Sequence, residues 1–526
     1  MPLAYDPNLY HPFFTPKAVL VLLAAGPGLA ATVHLAWRGN LAARIGLGFL
    51  AFATLSTLFA DRPLLAVAGP LNWGTGLVYL VAMIGAWSLG FRLSATRREQ
   101  LVLALIAAAV VNALFAWIGT TKPPGELFSQ PGAAVGLMGN SAYFGALCAG
   151  GLWLVVDRVV RRQGSHWWLA ALFLLAGAVH LSFARAALLL AVLAIAVQLR
   201  RGPLKRVVAV IAVAALGFTV AGAIAPSGNR GITSKSDTIS GQRTEAWKVA
   251  VKAAVHEAAI GSGPGRFAAA VEPRATAKMS QQNRYWTDGH NFVLTTAVTV
   301  GVPGLVLMLA WLLAAARGAR GPLAGFALAI GLFSLVEPQY LGLTPLAPLA
   351  LGAAIGGREQ VEDRARSWFI GAAAALGLVG TAVAALLFIG DALMLRSVNR
   401  FSVSDGRRAA SLLRPWSEPL LVEAQVENHY ARRAGPSAAG EPIATAARAT
   451  QRDPTDSAAW ALLGNLELNA GNVDAARAAF RSALKAYPWF TGALRREAEL
   501  APTADEKARV CARLRQLDLK PEECSP

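Results

Sequence analysis

The chain has 526 residues, 55% of them hydrophobic and only 15% charged, and its mean hydropathy is +0.45. A soluble domain carries about 25% charged residues, so this balance excludes an ordinary soluble enzyme and points to a polytopic membrane protein. The net charge of +18 would suggest nucleic acid in a soluble chain, but here many Arg and Lys residues sit in short clusters between apolar stretches; that is the pattern of membrane orientation, and no nucleic-acid partner is expected.

The Met1 end has neither a basic n-region nor a small-residue cleavage site, so no cleaved signal peptide is expected. Stretches apolar enough to cross about 30 Å of hydrocarbon follow at roughly 17–37, 42–60, 74–92, 99–119, 137–156, 166–182, 185–200, 205–225, 291–316, 322–337, 342–356 and 367–391. That is about twelve spans. The segment 166–200 also reads as one bent hairpin, and 322–356 as two short helices flanking Glu337-Pro338. The stretch from 291 is expected to kink at Gly301, Pro303 and Gly304.

Basic clusters occur at Arg38/Arg44, Arg92/Arg97/Arg98, Arg158/Arg161/Arg162, Arg200/Arg201/Lys205/Arg206, Arg317/Arg320 and Arg358/Arg364/Arg366. They occupy alternate loops, while 61–73, 120–136, 183–184 and 338–341 are poor in positive charge. The rule that short cytoplasmic loops are basic then places the N-terminus, the loop 226–290 and everything after about 392 outside. Loop 226–290 holds nine basic residues (Arg230, Lys235, Arg243, Lys248, Lys252, Arg266, Arg274, Lys278, Arg284) against five acidic ones (Asp237, Glu245, Glu257, Glu272, Asp288). Long loops are exempt from the charge rule, and an anionic ligand accounts for the excess.

After about 396 the pattern is polar and helical. Trp460, Leu463, Gly464, Gly471, Ala476, Phe480, Ala483 and Pro488 fall at the spacing of a tetratricopeptide repeat over 457–490. Glu467 departs from it, standing where an aromatic is usual. One clear repeat is short of the three usually needed for stability, so helices at 405–450 and 491–518 are expected to complete the unit, which would offer a surface to protein partners. The chain divides, on this reading, into a membrane domain 1–391 and an external helical domain 396–526: all-α throughout. Cys148 reads as inert packing, and Cys511 and Cys524 pair only if their end faces an oxidising compartment.

Chemistry concentrates where the long loop meets the membrane, in the stretch RYWTDGHNFVL. His290 stands at the start of an apolar helix although Asp288 or Asn291 would cap it better. An imidazole there can take a proton from a hydroxyl, and Asp288 could orient its ring. Arginines are candidates for phosphate, since the guanidinium fork grips two oxygens at once. Arg185 begins an apolar helix, Arg243 lies near the start of an amphipathic helix expected at 241–257, and Arg266 lies in the glycine-rich GSGPGRF, whose backbone N–H groups could approach phosphate oxygens. Asn140, Tyr143 and Glu337 are weaker polar points within apolar surroundings. No spacing suits a metal, no GxSxG occurs, and no DxD pair for a metal–nucleotide is present, so neither metal nor cofactor is expected.

These landmarks, in order, resemble the O-antigen ligase and O-antigen polymerase superfamily. The likeness rests on Gly139, Asn140 and Tyr143; Ser182 and Arg185; Arg243 and Trp247 before Gly261, Gly263 and Phe267; and His290, Asn291 and Leu294 before Gly301 and Gly304. It covers roughly 17–356. The resemblance implies a metal-independent, inverting glycosyltransferase of the bacterial inner membrane that takes a glycan from an undecaprenyl-diphosphate carrier at the outer face. It makes His290 the base candidate, Arg185 and Arg243 the diphosphate candidates, and Arg266 a weaker one. The chain departs from the ligase pattern at Asp288, where a second histidine is frequent, and at Asn72 and Trp73, where an arginine is frequent. The first departure and the repeat tail favour a polymerase or a transferase to protein over ligation to a lipid core. A non-enzymatic scaffold or a transporter is the alternative of a different class; a transporter should show internal repeats and mid-membrane polar residues, which are few.

Overall fold

The computed structural model describes residues 1–72, 74–121, 129–130, 133–161, 166–199, 203–225, 236–280, 286–356, 366–435, 438–517 and 524. Trp73, Arg162, Arg200, Arg201, Arg230, Lys235, Arg284, Arg358 and Arg364 lie outside them. The described chain is helical, with one two-residue antiparallel ladder pairing Ser129–Gln130 with Ala133–Ala134. The first half runs α1 (Thr15–Trp37), α2 (Leu41–Leu58), α3 (Pro63–Ala68), α4 (Leu77–Phe91), α5 (Ala95–Thr121), α6 (Ser141–Val160), α7 (Trp167–Leu181), α8 (Arg185–Leu199) and α9 (Leu204–Ile224). The long loop carries α10 (Ser236–His256), α11 (Phe267–Val271) and α12 (Ala277–Ser280). Then come α13 (Phe292–Thr299), α14 (Gly301–Ala316), α15 (Pro322–Phe333), α16 (Leu346–Ile355) and α17 (Arg366–Arg400). The tail is α18 (Val403–Leu412), α19 (Glu418–Ala434), α20 (Gly440–Arg452), α21 (Ser457–Asn469), α22 (Val473–Ala486), α23 (Thr491–Glu499) and α24 (Ala504–Gln516).

Among the described residues, α1, α2, α5, α6, α9 and α17 are long and apolar enough to cross a bilayer. Six shorter apolar helices, α4, α7, α8, α14, α15 and α16, lie in the other expected stretches. They are shorter than the roughly 20 residues of a straight crossing. The segment 166–200 is two helices, not one, parted at Ser182 and at Phe183, whose φ is +50°. The expected span 291–316 is also two: Gly301, at φ +76°, turns α13 away from α14.

Lipid offers no hydrophobic drive between helices, so close backbone approach through small residues substitutes for it. A Cβ on Gly28 of α1 would lie 2.7 Å from the Gly85 Cα of α4, and one on Gly352 of α16 would lie 2.0 Å from the Trp87 carbonyl oxygen. Helix α6 is the enclosed centre, whereas the apolar stretches of α9 and α17 keep most of their residues unburied by the rest of the protein. At one end of the bundle, buried Lys17 donates to the carbonyls of Ala4, Phe13 and Leu137, and the Tyr340 hydroxyl donates to Phe13 O. The opposite end gathers the basic residues: Arg206 donates to Val160 O, Arg158 pairs with Glu99, and the Arg92 guanidinium lies over Phe369.

The tail packs onto the first of these ends. Helix α17 extends nine residues past the expected limit of its apolar stretch, and Asp391 within it accepts from His11 Nδ1 at 2.7 Å. His11 Nε2 lies 3.3 Å from Glu418. Burial alone would lower the His11 pKa, but its hydrogen bonds and charge pairing with Asp391 and Glu418 outweigh that and raise it to about 9. Trp416 donates to Gly69 O. In the clearest repeat the Phe480 ring fills the groove above Gly464, where a Cβ would come within 2.7 Å. Cys511 and Cys524 form a disulfide, and Cys148 is a buried thiol in α6.

The α1–α4 crossing should therefore tolerate no side chain at Gly85. Overpacking of this kind costs about 1–3 kcal/mol, so Gly85→Val should lower the thermal midpoint of the purified protein. Gly48→Ala, at a position with nothing within 4 Å, should leave it unchanged; equal midpoints for both variants would contradict the packing.

Candidate active site

The long loop folds around a small core of its own. Ala246, Val249, Ala250 and Ala253 of α10 pack with Phe267, Val271, Met279, Trp286 and Val298. The turn 286–291 crosses this core and delivers the chain into α13. Asn291 is the helix cap: its side-chain oxygen accepts from Val293 N and Leu294 N at 2.9 and 3.1 Å. His290 is thus relieved of any capping duty. It sits at φ +49°, one of three non-glycine residues with positive φ among those described. Such a conformation is costly for an L-residue and persists only where the surroundings impose it.

Asp288 supplies much of that imposition. Its two carboxylate oxygens accept backbone N–H bonds, one from His290 at 2.5 Å and one from Gln339 at 3.1 Å. The sequence suggested that Asp288 orients the imidazole; instead its carboxylate holds the backbone, and the ring Nδ1 lies 3.4 Å from the Asp288 carbonyl oxygen. Burial pushes the Asp288 pKa up to about 7, against the two backbone hydrogen bonds, and the nearby charge of Glu337 adds to the rise. Two tryptophans complete the turn. Trp247 of α10 donates to Gly289 O at 2.9 Å, and the Trp286 ring lies 5.0 Å from the His290 ring.

Arg243 reaches the same place from α10. It donates to Val336 O at 3.0 Å and pairs with Glu337 at 2.7 Å, while its Nε is buried without a hydrogen-bond partner among the described residues. Buried donors are rarely left so, and an anionic group would satisfy this one. The segment between α15 and α16 is the common partner: Val336 and Glu337 take Arg243, Gln339 takes Asp288, and Tyr340 stacks on Tyr143 at 4.5 Å. Asn140 caps α6 through Ala142 N and Tyr143 N and so sets the stack from below. Arg185 opens α8 exposed, on the helix next to α6, where Ser182 packs beneath Gly145.

Arg266 does not join this group. It is buried with its guanidinium on Asp453 and Thr455 of the tail, each at 3.1 Å. In the glycine-rich loop before it, two of the three glycine N–H groups are bonded within the protein. Ser262 N and Gly263 N donate to the carbonyls of Val298 and Thr299, closing the end of α13, and Gly261 N donates to Glu257 O. Glu337 was only a weak candidate in the sequence and Gln339 none, because their partners lie 94 and 51 residues away. The only local sign was an acid and an amide flanking a proline in an apolar run. No group of His, Cys, Asp and Glu with metal-binding geometry occurs among the described residues.

Residues 169–309 match the family model of O-antigen ligase, and residues 457–500 match a tetratricopeptide repeat. The first match holds Arg185, Arg243, Arg266, Asp288, His290 and Asn291. No match was found among curated proteins. Residues 169–309 are thus similar to O-antigen ligase, within a multi-pass membrane protein that carries a C-terminal tetratricopeptide repeat.

Because the folded state raises the Asp288 pKa from 3.8 to about 7, folding takes up a proton between those values, and stability from this group falls as pH rises through that window. Asp288→Asn removes the titration. Its thermal midpoint relative to the original chain should rise from about pH 4 to 7 and then level; a difference independent of pH would contradict the buried carboxyl.

Proposed function

We propose that this chain transfers a glycan from an undecaprenyl-diphosphate carrier to an acceptor hydroxyl at the outer face of the bacterial inner membrane, in the manner of a polymerase. The observation that carries the reading is His290, held at a positive φ by Asp288, whose other oxygen binds the same 336–339 segment that Arg243 binds, with both residues within the stretch that matches the ligase family. Strain of this kind gathers at functional sites. His290 takes the proton of the acceptor hydroxyl, whose oxygen attacks the anomeric carbon from the face opposite the diphosphate. The bond from that carbon to the diphosphate oxygen breaks, the carrier diphosphate leaves with the electron pair, and the configuration inverts. Arg243 holds the leaving charge, with Arg185 at the start of α8 as the second candidate for it, and on this proposal the reaction calls for no metal.

The orientation has independent support. Disulfides persist in oxidising compartments, and Cys511–Cys524 belongs to the tail that packs on the end of the bundle bearing His290. Arg92, Arg158 and Arg206 of the basic clusters lie at the other end, as residues of cytoplasmic loops do. Polymerisation is favoured over ligation to a lipid core by Asp288, where ligases often carry a second histidine: its carboxylate is needed to shape the turn.

His290→Ala should reduce transfer by about 10²–10⁴-fold, the usual worth of a general base, and carrier-linked glycan should accumulate in cells. Normal surface glycan from a normally expressed variant would sink the reading. Arg243→Lys should be nearly as harmful as Arg243→Ala, because an ammonium cannot reproduce the guanidinium fork; near-normal transfer by the lysine variant would show that charge alone suffices.

A further inference from the structure

A repeat domain fused to an enzyme is ordinarily read as a recruiting arm with its binding surface open to other proteins. In this chain part of that domain's surface is covered by another segment of the same chain. Trp489, in the turn between α22 and α23, donates to Ala275 O at 2.9 Å, and the Arg513 guanidinium lies over the Trp489 ring. Ala275 packs among Trp460, Phe480 and Tyr487, and Ala277 among Leu494, Val510 and Cys511. Arg266 enters the junction between α20 and α21 and pairs with Asp453. Asp453 is itself fixed, because its other oxygen accepts from Thr455 N and Thr455 Oγ1. The segment 266–280 is therefore clamped along its length by α21 to α24 and the turns between them.

The clamped segment also touches the catalytic turn directly. Phe267 is buried, and its ring would lie 3.2 Å from a Cβ placed on Gly289. Met279 O accepts from the Trp286 indole at 3.1 Å, and that indole flanks the His290 ring. Contacts thus run without a gap from Asp453 and Trp489 through Arg266, Phe267, Ala275 and Met279 to Gly289 and His290. We infer that the repeat tail takes this chain's own outer loop, residues 266–280, as its ligand, and through it sets the position of the His290 turn. Asp453 and Trp489 are positioning residues; neither touches substrate. A protein partner using the same surface would have to displace the loop, and would disturb the turn as it did so.

A contact chain is not by itself coupling, so the test measures coupling. The inference borrows from the proposed function only the role of His290, and one arm of the test does not depend on it. Hydrogen exchange is followed in the full-length protein in nanodiscs for Asp453→Ala, Arg266→Ala, Trp489→Phe and the charge-exchanged pair Arg266→Asp/Asp453→Arg. The single variants should speed exchange about tenfold or more in both 266–280 and 286–291, and the exchanged pair should restore part of the protection. Trp489→Phe keeps the packing and loses only the hydrogen bond to Ala275 O, so it reports even if a charge variant fails to fold. In the second arm, transfer from carrier-linked glycan by the same proteins should fall mainly in kcat, with KM within about twofold, as expected for a misplaced base. Loss of protection confined to 266–280, or unchanged kcat in a variant whose turn has loosened, would overturn the inference. If His290→Ala itself retains transfer, the proposed function fails, while the exchange arm still decides whether the tail holds the turn.

Discussion

A carboxylate buried at the end of an apolar bundle is costly unless its oxygens find donors, and Asp288 finds two in the backbone, at His290 and Gln339. Those bonds join two segments distant in sequence: the turn that ends the long loop and the irregular link between α15 and α16. Much of the site follows from this junction. The link holds Glu337 and Val336 against Arg243 and sets Tyr340 on Tyr143. The turn is fixed from its other side by Trp247 and Trp286. Release of Asp288 would leave the buried Gln339 N–H and the part-buried His290 N–H unmet and remove a restraint on the positive-φ conformation of His290.

The membrane domain makes this possible by dividing its work between its ends. Small residues at Gly28, Gly85, Gly90 and Gly352 bring α1, α4 and α16 into backbone contact, and a buried Thr32–Ser88 hydroxyl pair at 2.8 Å ties α1 to α4 beside it. Polar machinery then collects at one end. There Lys17 ties the N-terminal segment to the loop before α6, and His11 ties it to α17 and to the tail. Irregular backbone at membrane depth is tolerated where protein encloses it, and the buried link 338–345 is enclosed in this way.

Features carried by local pattern were legible in the sequence. The apolar stretches, the helix break at Gly301, the repeat around Trp460 and Phe480, and the gathering of polar residues near His290 all depend on residues close together in the chain. The misreadings arose where a distant partner decided the outcome. Arg266 in GSGPGRF looks like a phosphate ligand until Asp453, 187 residues on, is seen to hold it. Gly261 packs against the end of α13, Gly263 against Ala60 and Gly265 against Gly69, and the N–H groups of Gly261 and Gly263 already have acceptors. From within DGHN, Asp288 has only the imidazole in view; its carboxylate bonds the backbone of His290 and of Gln339, which lies 51 residues away. The shorter apolar helices show the same limit: hydropathy marks where they are, and packing against neighbours decides how long they run.

The central claim is that the end of the bundle bearing His290 and Arg243 breaks a glycosyl–diphosphate bond. The direct measurement is incubation of the purified full-length protein with an undecaprenyl-diphosphate-linked glycan, following both released undecaprenyl diphosphate and the length of the glycan. The account predicts release of the carrier in step with lengthening of the carrier-linked product. Glycan that stays on its carrier at unchanged length, with an intact and folded protein and an acceptor hydroxyl supplied, would contradict it.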